Sequence, residues 1–128
     1  MSKLTKPELR DCIQSCWDCR DTCEATLYNH CLPYVEQANV RLMADCIQIC
    51  QAAADFMTRS SEQHPVVCAA CVEICDACAD SCDAFDDDAM KRCAEVCRTC
   101  SDSCREMSRM HGAMALQSEA IRPNMPPT

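Results

Sequence analysis

DCIQSCWDCRDTCE, residues 11–24, sets cysteines at 12, 16, 19 and 23, with gaps of four, three and four. The same CxxxCxxCxxxC spacing returns from Cys71 to Cys82 and from Cys93 to Cys104. Gaps of four and three sum to seven, so the thiols occupy the a and d positions of a heptad and share one face of an α-helix. Strand alternation would need gaps of two. Each motif therefore predicts a helix with a row of sulfur along it.

The residues between the motifs divide the chain. Pro7 follows Thr5, and Glu8 completes a capping box, which predicts a first helix over about residues 6–29. Pro33 and Pro65 each suit the first turn of a helix, giving a second over about 33–60 and a third over about 65–84. Asp86, Asp87 and Asp88 supply an N-cap and the acidic first turn that the helix dipole favours, opening a fourth. Past Gly112 the helix end is ambiguous, and the closing RPNMPPT reads as a disordered tail.

Extended beyond the cysteines, the heptads give each helix a seam. The first reads Leu9, Cys12, Cys16, Cys19, Cys23, Thr26, His30; the second Met43, Cys46, Cys50, Ala53, Met57; the third Cys68, Cys71, Cys75, Cys78, Cys82, Phe85. The fourth runs Met90, Cys93, Cys97, Cys100, Cys104, Met107, His111, Met114. Four helices with short connections pack as an antiparallel up-down-up-down bundle with these seams inward. The fold class is all-α, in one domain over 1–128, with the bundle over about 6–112 and an extension and tail over about 113–128. Fifteen of the sixteen cysteines line the predicted interior; Cys31 sits apart, between the first two helices. Ile13, Trp17, Ile47, Ile49 and Val72 lie off the seams, either flanking the core or available to a subunit interface.

Composition explains why sulfur matters to the core. Leu, Ile, Val and Phe total 19 of 128 residues, a level that with a net charge of -8 would ordinarily suggest disorder. A buried cysteine packs as a small hydrophobe, so thiols replace the missing aliphatic volume. So many cysteines in a short chain usually mark a secreted, disulfide-stapled scaffold rich in loops and glycine. Here there is a single glycine, and MSKLTKPELRDC has no apolar signal region, so the expectation is a cytoplasmic, reduced protein. The acidic balance argues against nucleic acid and anionic membranes as partners and suits cations.

Packing alone does not account for these thiols. Leucine or isoleucine would stabilise each position more, by about 1.5–3 kcal/mol when fully buried, without the oxidation hazard. Iron–sulfur motifs wrap a cluster in a loop, whereas these thiols lie in rows. Tetrahedral zinc with four thiolates carries a charge of -2, and several such units stacked in a core of low dielectric are costly. Cu(I) answers both points: soft thiolates select it, and one monovalent ion per thiolate leaves the core near neutral. A digonal ion with bonds of roughly 2.3 Å needs sulfurs about 4.6 Å apart, close to the spacing of i,i+3 and i,i+4 neighbours on a helix. The chain has no Gly-rich phosphate loop, no HExxH and no Ser/His/Asp arrangement, so it does not read as an enzyme. A zinc or metallothionein-like buffer and a disulfide-stabilised helical interaction module remain the competing readings.

The linked motifs, with QSCWDCRDTCE early and CRTCSDSC late, resemble the bacterial copper storage proteins, specifically their cytosolic branch. The resemblance covers about residues 6–112. It implies a four-helix bundle assembled as a homotetramer, whose inward cysteines load many Cu(I) ions through pairs of thiolates. Carried over, the ligands would be Cys12, Cys16, Cys19, Cys23, Cys46, Cys50, Cys68, Cys71, Cys75, Cys78, Cys82, Cys93, Cys97, Cys100 and Cys104. The family also gathers methionine and histidine at one open end of the bundle, where copper is thought to pass. Antiparallel topology places Met57, His64, Cys68, Cys104, Met107 and His111 there, and the resemblance makes Met57, Met107 and His111 further metal residues.

Overall fold

The computed structural model of the chain describes residues 7–31 and 37–121, with side chains described for 9–30 and 38–109. Helix α1 spans Pro7–Thr26 and continues into a π-helical turn, Leu27–Cys31; α2 spans Gln37–Thr58, α3 His64–Asp83 and α4 Asp88–Ile121. The helices pack in a ring, α1 on α2 and α4, α3 on α2 and α4. Sulfur pairs fix the directions: Cys12 faces Cys104 while Cys23 faces Cys93, so α1 and α4 run antiparallel. Cys46 meets Cys75 and Cys50 meets Cys71, which sets α2 against α3 in the same way. The predicted four-helix bundle with a cysteine core is the observed fold.

Local chemistry explains the boundaries. Pro7 opens α1 and Pro65 lies in the first turn of α3, where a missing N–H costs nothing. Of the three aspartates before α4, Asp87 is the cap: its Oδ1 accepts from the Met90 N–H at 2.9 Å, and its carbonyl accepts from the Lys91 N–H at 3.0 Å. The corner between α2 and α3 is a Schellman turn, with the Ser61 N–H reaching the Phe56 carbonyl at 2.9 Å and the Ser60 N–H the Met57 carbonyl at 3.1 Å. Its left-handed residue is Ser60, at φ 57°, where such turns usually carry glycine. Helix α4 passes straight through Gly112, carried by the strong helix formers that follow it. The segment holding Pro33 and the capping residue Thr5 lie outside the described residues, as does the tail over 122–128.

Two seam assignments change. After Cys23 the sequence places Thr26 and His30 inward, yet the structure buries Leu27, leaves Thr26 part-exposed and turns His30 outward at 43% side-chain exposure. The π-helical turn alters the winding there, and the more apolar residue takes the core. Cys31, placed between the first two helices, is the last residue of this π-helical segment. Small residues flank the seams, with Ala54, Ala79, Ala94 and Ser101 buried beside the sulfur and letting the helices approach closely. Ile13, Trp17, Ile47, Ile49 and Val72 are partly buried and pack against the core.

Candidate metal centre

Every one of the fifteen seam cysteines is a free thiol with no exposed surface. They fill the bundle axis as one column because the heptad aims every row at the same line. At one end Cys12 lies 3.7 Å from Cys104, and Cys68 joins them. Along the column follow the sets Cys16, Cys71, Cys100, Cys104, then Cys50, Cys71, Cys75, Cys100, then Cys19, Cys46, Cys50, Cys75, then Cys19, Cys23, Cys46, Cys97, the sulfurs of each set lying within 4.8 Å of one another. Cys23 and Cys93, 3.4 Å apart, lead to the far end. There Cys82 accepts from Asn39 Nδ2 at 3.8 Å.

The connectivity differs from a ladder of neighbours within each helix. Within one helix, Cys46–Cys50, Cys71–Cys75 and Cys100–Cys104, each four residues apart, come within 4.0 Å. Other approaches join different helices, such as Cys16–Cys104 at 3.6 Å, Cys19–Cys46 at 3.7 Å and Cys50–Cys100 at 3.8 Å. Rotamers on an inward seam carry sulfur toward the axis, where opposing rows come as close as neighbours within one row. A metal held here is therefore held by several helices at once. A three-coordinate ion with bonds of roughly 2.3 Å wants sulfurs about 4.0 Å apart, nearer these spacings than the 4.6 Å of a digonal ion.

Neighbouring thiols shift one another in opposite directions. Cys46 is held below the ordinary thiol range, first by its hydrogen bond with Cys19, and Cys100 likewise by Cys104. Cys50 is pushed up, foremost by Cys100, and Cys104 by Cys100 as well. Burial raises every one of them, since a thiolate is poorly solvated there, and a soft cation reverses that preference.

At the Cys12 end the predicted neighbours assemble. Met57 is fully buried and Met107 nearly so, and His64 is 7% exposed. His64 Nδ1 donates to the Ser61 carbonyl at 2.9 Å, which leaves Nε2 with its lone pair, buried and without a hydrogen-bond partner. The His111 side chain lies outside the described set, although its backbone continues α4 four residues past Met107. The structure gathers Met57, His64, Cys68, Cys104 and Met107 and leaves His30 at the other end, paired with Asp87 at 3.1 Å.

Sequence reasoning missed Asn39. It is 3% exposed, donates to Ser81 Oγ at 2.8 Å as well as to Cys82, and has an Oδ1 with no partner. The signal was present, since position 39 precedes Met43 by four on the α2 seam.

Comparison with known proteins places this geometry. The family model described as copper storage protein matches residues 5–109. A crystal structure of a Nitrosospira multiformis protein superposes with a TM-score of 0.77 at 42% identity, over 80% of this chain and 96% of that one. The Cu(I)-bound copper storage protein BsCsp3 superposes with a TM-score of 0.72 at 33% identity, over 79% and 98%. Apo copper storage protein 3 from Bacillus subtilis gives 0.73 at 34%, over 77% and 97%. No curated protein matches the chain.

Proposed function

The chain belongs to the copper storage protein family, and from that premise we propose that Cys12, Cys16, Cys19, Cys23, Cys46, Cys50, Cys68, Cys71, Cys75, Cys78, Cys82, Cys93, Cys97, Cys100 and Cys104 are its Cu(I) ligands. The protein stores copper, binding many Cu(I) ions in a helical bundle. The observation that carries the ligand assignment is the continuous column of free, fully buried thiols. Soft thiolates prefer Cu(I), and a monovalent ion lets the column fill without accumulating charge. The role is storage and not catalysis.

Copper passes in and out at the Cys12 end, handled by Met57, Met107 and His111. Thioether and neutral imidazole hold Cu(I) less firmly than buried thiolate pairs, so they hand it on without trapping it. Support comes from the burial of Met57 and Met107, and the unpartnered His64 Nε2 adds a nitrogen at the same end. The protein works in the cytoplasm, where thiols stay reduced; no described helix is long and apolar enough to cross a membrane. It assembles as a homotetramer, for which the partly buried Trp17, Ile13 and Val72 supply apolar surface.

Anaerobic titration of the reduced, metal-free chain with Cu(I) against a competing chelator tests the proposal. Many equivalents per chain are expected. Saturation at one or two would overturn it.

A further inference from the structure

Two of the thiol sets have a regular shape. In Cys50, Cys71, Cys75 and Cys100, the separations are 3.9 Å for 50–71, 3.6 Å for 50–75, 3.8 Å for 50–100, 3.6 Å for 71–75 and 4.0 Å for 71–100, with the sixth within 4.8 Å. In Cys19, Cys23, Cys46 and Cys97 they are 3.7 Å for 19–46, 3.7 Å for 19–97, 4.0 Å for 23–46, 3.6 Å for 23–97 and 3.9 Å for 46–97, again with the sixth within 4.8 Å. The two sets have no cysteine in common. Four sulfurs around an ion with bonds of roughly 2.3 Å form a tetrahedron with edges of about 3.8 Å. Both sets already have that size and shape, whereas a digonal ion would force them apart.

We propose that the copper-free chain binds two divalent ions of the zinc class, one in each tetrahedron. The other sets do not add sites. Each remaining four-thiol set borrows cysteines from these two, and Cys12, Cys68 and Cys104 lack a fourth thiol. Each ion takes four thiols and releases up to four protons, leaving a centre of charge -2. The tetrahedra touch through Cys46, which lies 4.0 Å from Cys50 and 3.7 Å from Cys75, so the second ion meets the charge of the first and binds more weakly. Cu(I), which leaves the column near neutral, displaces both. The bundle is thus a zinc-class site that copper overrides, and this holds whether or not copper storage is its main task.

The test uses Co(II) as a spectroscopic probe on the full-length, reduced chain under anaerobic conditions, with Zn(II) as competitor. Intense visible d–d bands of a tetrahedral tetrathiolate should grow to about two equivalents per chain in two steps, and Zn(II) should erase them. Cys100→Ser breaks both four-thiol sets that contain it, and Cys46→Ser both of its own, so each should lower the count to about one and the double variant to none, while Cys82→Ser keeps both. A surviving site in each single variant reports an intact bundle; where helicity is lost, Cys71→Ser or Cys19→Ser replaces the variant. A weak octahedral spectrum, a different stoichiometry, or two sites left in helical Cys100→Ser overturns the proposal. Cu(I) capacity is measured on the same samples. Full capacity without cobalt sites removes this inference and leaves copper storage standing, whereas cobalt sites with at most one or two equivalents of Cu(I) do the reverse.

Discussion

Cys46 lies 3.7–4.0 Å from Cys19, Cys23, Cys50, Cys75 and Cys97, so one side chain on α2 meets thiols from all four helices. Cys82, by contrast, sits at the far end against Asn39. Removing a sulfur shared by neighbouring sites disturbs them all, and removing a terminal one does not. Cys46→Ser should therefore lose more than one equivalent of Cu(I), and Cys82→Ser at most about one, by equilibrium titration against a chelator. Equal losses would mean that each thiol acts alone. Ser60 makes a different point at the same scale, because its φ of 57° is a left-handed conformation and its Oγ is buried without a partner. Ser60→Gly removes the Cβ clash and the stranded hydroxyl together, and should stabilise the apo-protein by about 1 kcal/mol in urea unfolding. A loss of stability would show that the hydroxyl has a role the turn needs.

Helix α4 depends on how it starts and on what its seam carries. Asp87 caps it, and its carboxyl is held below the ordinary range, first by the Met90 N–H and then by His30. A depressed carboxyl contributes stability above its unfolded pKa of about 3.9 and loses it as pH falls through the lower folded value. Asp87→Ala should thus lower the melting temperature at neutral pH, with the gap closing as the pH approaches about 2. A gap unchanged by acid would show that the cap acts without its charge. Further along, Met107 closes the seam beyond Cys104, with His111 one turn on. Substituting Met107 and His111 together should slow Cu(I) loading in stopped-flow transfer while leaving capacity nearly unchanged. Loading at the wild-type rate would make them packing residues, and a loss of several equivalents would make them storage ligands.

Across the whole molecule, the bundle is expected to form without metal. Its helix signals lie in capping residues, prolines and heptads, and its interior is closed by thiols already in contact. Reduced, chelator-treated protein should show a strongly helical far-UV circular dichroism spectrum, unlike a zinc finger, which folds only with metal. A random-coil spectrum would show that copper organises the fold. The proposed homotetramer is tested at the same scale: light scattering of the apo-protein should return four times the chain mass, and a monomer would assign Trp17 and Ile13 to flanking the core alone.

The heptad spacing of the cysteines was enough to mark three helices and the face each thiol row occupies, because a row of one chemical type at gaps of three and four has only one periodic reading, while the second helix rested on the proline breaks and on Met43, Cys46, Cys50, Ala53 and Met57. Pro65 and Asp87 likewise marked helix starts, since each acts through its own backbone neighbours. Sulfur as the core was legible for the same reason, whereas the preference for a soft monovalent ion came from thiolate softness and charge and not from the spacing. What lay beyond reach were distances between rows. Which thiols form tetrahedra, why Leu27 displaces Thr26, that Asn39 reaches Cys82, and that His64 Nε2 is left unpartnered all depend on the rotation and offset of one helix against another. Periodicity fixes the face a residue occupies, but the tertiary packing of four helices around one axis decides which sulfur it meets.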